Sequence, residues 1–89
     1  MTSTQALEAL CMDLKRVAIG YNRGSITMGD IFKKEALQRR KEIAILSLKP
    51  YMQKIINSLE TILQEKNPQT LAEDALTYST IILNYITRK

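Results

Sequence analysis

Ser47-Leu48-Lys49-Pro50 decides the fold of this chain, because it separates two long apolar-periodic stretches and admits two architectures. Proline lacks an amide hydrogen and disfavours helical geometry at the residue before it. A helix arriving from upstream therefore stops or kinks here. If 47–49 is a tight turn, the chain is an all-α, antiparallel four-helix bundle. If Pro50 only kinks, the segments before and after it form one central helix, the chain has three helices, and the bare apolar surface left over favours a dimer. Short connections between antiparallel neighbours are the commoner solution, so the four-helix bundle is the expectation.

Working outward from that joint, the segment from Pro50 to about Lys66 has the most regular pattern. Met52, Ile55, Ile56, Leu59, Ile62 and Leu63 repeat at helical spacing on one face. Asn67-Pro68 opens the next helix, with a favoured N-cap followed by a residue preset for the first turn. That helix, 68–87, ends in a run rich in β-branched residues. Leu71, Ala75, Ile82 and Ile86 nevertheless share a face with Ala72 and Ser79, and a packed face overrides weak strand propensity.

On the other side, the spacing predicts a helix over about 27–46, opened by a variant capping box at Thr27-Met28-Gly29-Asp30. The first helix is expected over about 3–19. Ser3 or Thr4 would cap it, Gly20 would stop it, and Leu7, Leu10, Cys11, Leu14, Val17, Ala18 and Tyr21 would line its inner face. Residues 20–25 carry two glycines, Asn and Ser, and form the clearest loop.

The composition bounds the function. With 89 residues the chain is one small domain, 1–89, near the lower limit for a self-sufficient core. It has no histidine, which removes the usual general base, the usual zinc ligand and the acceptor of a histidine phosphorelay. Cys11 stands alone, so no internal disulfide or CxxC pair exists, and it falls on an apolar face. Glu73 and Asp74 point about 100° apart on a helix and cannot readily share a site. The three glycines are scattered, so there is no phosphate-cradling loop. No enzyme, cofactor or metal is expected. The N-terminus lacks a basic region followed by an apolar core, and the longest uncharged run, 75–87, is too short and too polar to span a bilayer. The expected compartment is the cytoplasm.

Charge offers the candidate sites. Net charge is +4, and 33–41 packs five of the thirteen cations into nine residues. On a helical wheel Lys33, Lys34, Arg40 and Lys41 fall within about one third of the circumference. They read either as a solvated stripe covering apolar surface with their stems or as a contact to phosphate or an acidic partner. Arg39 differs, falling among Phe32, Ala36, Ile43 and Leu46 on an apolar arc. It must snorkel, pair with Asp13, Glu8 or Asp74, or face a partner. In the last helix Tyr78, Ile81 and Tyr85 form a shoulder beside the core face, suited to a partner helix or peptide, or to a homodimer. Residues 69–81 have a faint helix-turn-helix pattern with Leu76 where a turn glycine is usual. Nucleic acid is the weaker reading, because that role calls for more aromatic or amide interleaving of the basic stripe and for a recognition-helix motif. Membrane contact would be peripheral at most.

The opening helix Gln5-Ala-Leu-Glu-Ala-Leu-Cys-Met-Asp-Leu14 and the three that follow resemble, in gross plan, the small immunity proteins that protect bacteria from their own pediocin-like bacteriocins. That resemblance implies a basic four-helix bundle acting with a membrane receptor of the toxin, and it carries over no site residue. The second half, with Leu59-Glu60-Thr61-Ile62-Leu63, then Asn67-Pro68-Gln69, then an Ile- and Tyr-rich helix, is similar to the helical hairpins of small type III secretion chaperones. Residues 1–46 are surplus to that second plan. Either resemblance implies a non-enzymatic protein-binding module.

Overall fold

Thr2 caps the first helix. Its hydroxyl accepts from the Gln5 amide at 3.1 Å and the Gln5 side chain accepts from the Thr2 amide at 2.9 Å, a reciprocal capping box. The cap is therefore one residue before the expected Ser3 or Thr4. The computed structural model describes residues 2–88. Four helices follow: α1 over Ser3–Asn22, α2 over Ile26–Lys41, α3 over Pro50–Ile62 and α4 over Pro68–Thr87, with a short 3-10 turn at Ile45–Ser47. The four-helix bundle holds.

The kinked rod is overturned at the joint itself. α2 ends at Lys41, not near Leu46, and Lys49 is extended at φ −64° and ψ 151°. The intervening loop drops Ile43 and Leu48 into the core and leaves Leu46 92% exposed. Leu46 is thus not on the apolar arc assigned to it, because the helix that would have placed it there stops five residues earlier. The molecule measures 35 × 22 × 21 Å. That length suits a single 20-residue helix of about 30 Å, whereas a continuous 27–66 rod would run to about 60 Å.

α1 is the spine. All seven of its expected inner-face residues, Leu7 through Tyr21, are buried, and it packs closely along α4 on one side and α2 on the other. α3 closes the bundle with Met52, Ile56 and Leu59 buried, followed by a buried Leu63 at its C-cap, and it ends at Ile62 rather than near Lys66. α4 forms as expected, with the Asn67 side chain accepting from the amides of Gln69 and Thr70. It is one unbroken helix, so the helix-turn-helix pattern at 69–81 has no turn.

Gly20 does not stop α1. The helix continues to Asn22, and Gly20 is buried inside it against Gly29 of α2. A Cβ at Gly20 would lie 2.7 Å from the Gly29 nitrogen, and one at Gly29 would enter the Tyr21 ring. The two glycines set the crossing distance of α1 and α2. Gly24, at φ +76°, is the glycine that turns the chain. Ser25 then caps α2 by accepting from the Met28 amide, and the expected Thr27–Asp30 box does not form. Asp30 is engaged elsewhere, accepting a short hydrogen bond from the Tyr21 hydroxyl.

Burial, that hydrogen bond and the adjacent carboxylate push the Tyr21 phenol up to about 12. A raised folded pKa means that Tyr21 contributes stability below its ordinary value of 10 and loses it as pH climbs through about 12. Absorbance titration should show a phenol step at about 12 that Tyr21→Phe removes. A step there that survives Tyr21→Phe would contradict the Tyr21–Asp30 contact.

Candidate functional site

Up-down-up-down topology brings the start of α1, the turn into α3 and the end of α4 to one end of the bundle. A groove of about 740 Å³ opens there. Its apolar wall is Leu7, Leu48, Tyr51, Ile81, Tyr85 and Ile86, and its two charged groups are Lys49 and Arg88, both cationic. The volume lies in the range of ligand clefts, but the lining is mixed, since Ser3, Thr4, Ser47 and Asn84 join the two cations opposite the apolar wall.

The wall is held in place by identifiable bonds. The Tyr85 hydroxyl accepts from the Lys49 amide at 3.2 Å, and the Tyr85 ring meets Tyr51 edge-on at 5.7 Å and 74°. Ser3 and Ser47 hydroxyls lie 3.2 Å apart across the rim. Tyr51, 51% exposed, is the most open aromatic of the wall. It was not singled out from sequence, because one tyrosine after a proline carries no distinguishing local signal.

The expected shoulder therefore divides. Ile81 and Tyr85 enter the groove. Tyr78 does not; it is half-buried against α3, with its hydroxyl 2.7 Å from that of Ser58. All three pack against the core instead of standing free.

The basic stripe also divides. Arg40 Nε donates to the Ile56 carbonyl at 3.0 Å, tying α2 to α3. Lys33 lies 3.9 Å from Asp30. Lys34 and Lys41 are exposed, so two of the four cations are spent on the fold. The wheel could not show this, because it does not reveal that α3 faces that edge of α2.

No family model, curated protein or solved structure matches this chain. Its own geometry therefore carries the functional reading.

The remaining unusual chemistry lies in the α1–α2 seam. Arg39 Nε lies 3.7 Å from Asp13 Oδ2, and Arg39 Nη1 donates to Glu42 at 3.4 Å. Arg16 approaches the other Asp13 oxygen at 3.7 Å and stacks over Phe32 at 5.4 Å. Of the three acids offered for Arg39, Asp13 is the one it meets. Neither Asp13 Oδ2 nor Arg39 Nε completes a hydrogen bond. Burial raises the Asp13 carboxyl above its ordinary 3.8, with Arg39 pulling the other way. The cluster reads as a structural ion pair, with Asp13 buried between the two guanidinium groups. Cys11 is buried too, its sulfur against the Ser79 hydroxyl at 3.2 Å. Among the described residues no group of three His, Cys, Asp or Glu could hold a metal, and no helix is long and apolar enough to cross a membrane.

Proposed function

We propose that this chain is a non-enzymatic protein-binding module whose end groove takes an apolar segment of a protein partner. The observation that supports it is the groove itself, where six apolar or aromatic residues stand beside two cations and the polar side chains of Ser3, Thr4, Ser47 and Asn84 at an end where three chain segments meet. An amphipathic helix or peptide offering apolar anchors to the tyrosines, and a carboxylate to Lys49 or Arg88, suits that lining. Among biological roles, a bacteriocin-immunity-like function fits the basic four-helix plan best, with the partner then a protein of the membrane. The secretion-chaperone role has less support, since α4 packs more closely along α1 than along α3 and the α3–α4 hairpin is not a separate unit. Nucleic-acid binding has less again, since Arg40 and Lys33 are engaged within the fold.

The test is affinity capture from the native host with the wild type and with Tyr51→Ala/Tyr85→Ala. Loss of the Lys49 hydrogen bond and of the ring contact should cost the double variant about 2 kcal/mol, so capture is run where circular dichroism shows it folded. Wild type should retain a specific protein, and the folded variant should lose it. Co-purification of nucleic acid alone, or equal capture by the folded variant, would defeat the proposal.

A further inference from the structure

The connection between α2 and α3 divides its apolar residues unequally. From Ile43 to Leu48 it carries no charge and five aliphatic side chains. Ile43 and Leu48 are each 6% exposed, whereas Leu46 between them is 92% exposed, the most open large apolar side chain among the described residues. The turn that holds it out is well bonded. The amides of Ser47 and Leu48 donate to the Ala44 and Ile45 carbonyls, both at 3.0 Å, and the Ser47 hydroxyl donates to the Ala44 carbonyl at 2.6 Å. Both shoulders are anchored in the core, and the apex carries a leucine into water. Tyr51, half exposed, stands at the same end of the bundle.

Charge is divided along the bundle in the same sense. Residues 39–54, around this connection, hold five cations and one acid, Glu42, which is paired with Arg39 at 3.4 Å. Residues 60–74, around the α3–α4 connection, hold four acids and one cation. The 13 residues of α3 set the two ends about 20 Å apart. Lys41 and Lys49 bracket the leucine in sequence and are exposed. Arg88, also exposed, lines the same groove as Ser47 and Lys49. Glu8, the next acid, stands more than one turn inside α1.

An aliphatic apex among cations suits one kind of surface. A nucleic-acid backbone rewards the cations and leaves the leucine in water. A bilayer with anionic headgroups takes both, the cations at headgroup level and the leucine at the acyl boundary. We propose that this end of the bundle docks on an anionic lipid surface, with Leu46 inserted and Lys41, Lys49 and Arg88 at the headgroups. The proposal does not rest on the protein-binding reading of the groove, and it sets the groove beside the bilayer.

Cosedimentation of the purified chain with protein-free vesicles tests it, separately from any captured partner. Wild type should bind vesicles of phosphatidylcholine and phosphatidylglycerol, come off as salt is raised, and ignore phosphatidylcholine alone. Leu46→Ser should weaken that binding about tenfold, with unchanged melting because the side chain is already in water. Each cation at the surface is worth about fivefold, so Lys41→Glu/Lys49→Glu should weaken it by more than about tenfold. Lys15→Glu/Lys66→Glu removes the same charge away from this end and should cost less than about threefold. Insertion is read by Leu46→Trp, a single indole in a chain without tryptophan. Its emission should shift to the blue on the anionic vesicles, and that of Leu76→Trp on α4 should not. No binding to anionic vesicles, even alongside retention on heparin, would overturn the proposal. So would equal binding to neutral vesicles, undiminished binding by Leu46→Ser, equal losses in the two double lysine variants, or a Leu46→Trp emission that stays put.

Discussion

Gly20→Ala should lower the thermal midpoint by about 10 °C, although it adds a good helix former to the interior of α1. Alanine in place of glycine gains about 1 kcal/mol of intrinsic helix propensity. Against that, the new Cβ would sit 2.7 Å from the Gly29 nitrogen and 3.0 Å from its Cα. Those are backbone atoms of a neighbouring helix and cannot step aside as a side chain tip would. Prying α1 from α2 costs about 3 kcal/mol, the upper end for overpacking. The net loss of about 2 kcal/mol corresponds to that shift in a domain of this size. Differential scanning calorimetry of the purified variant reads it directly. A midpoint that rises would show that propensity wins and that the two helices do not cross at these glycines.

The second expected result is an asymmetry in the Asp13–Arg39 pair. Arg39→Met should cost about 2 kcal/mol at neutral pH, and Asp13→Asn less than about 1. Asp13 is the more deeply placed partner, its side chain 8% exposed against 34% for Arg39. Without Arg39 the buried carboxylate keeps only Arg16 at 3.7 Å. Without Asp13 the guanidinium keeps Glu42 and its contact with water. The figure for Arg39 is set below that of a fully buried pair because a third of its surface is solvent-screened.

The pH dependence follows from the sign. Asp13 has a raised folded pKa, so its contribution to stability is full below the ordinary 3.8 and is lost as pH rises through the folded value. Removing Arg39 raises that value further. The gap between wild type and Arg39→Met should therefore close as pH is lowered toward 4 in urea titrations. An Asp13→Asn loss larger than that of Arg39→Met, or a gap unchanged by pH, would contradict the assignment.

Much of the fold was legible because one-face periodicity survives tertiary packing. The α1 residues Leu7 to Tyr21 and the Asn67-Pro68 start of α4 needed no information beyond their own segment. The failures share a cause, which is that the deciding contact was made by another element. Gly20 looks the same in sequence whether it ends a helix or admits a neighbour, and only Gly29 across the seam distinguishes the two. Asp30 has the position of a capping residue but is taken by Tyr21. Leu46 kept helical spacing with Phe32 and Ala36 although the helix had already ended, since Ile43 and Leu48 gain more by turning inward. Of the site, Ile81 and Tyr85 were visible as surplus apolar surface on α4. Leu48 and Tyr51 were not, because what brings them to the groove is the turn at Lys49.

The central claim is that the end groove is where this protein meets its partner, and amide chemical-shift mapping with the captured protein tests it most directly. Shifts should concentrate on Leu7, Leu48, Tyr51, Ile81, Tyr85 and Ile86 and leave the exposed α2 cations Lys34 and Lys41 unmoved. Shifts centred on α2, with those groove amides unchanged, would contradict it.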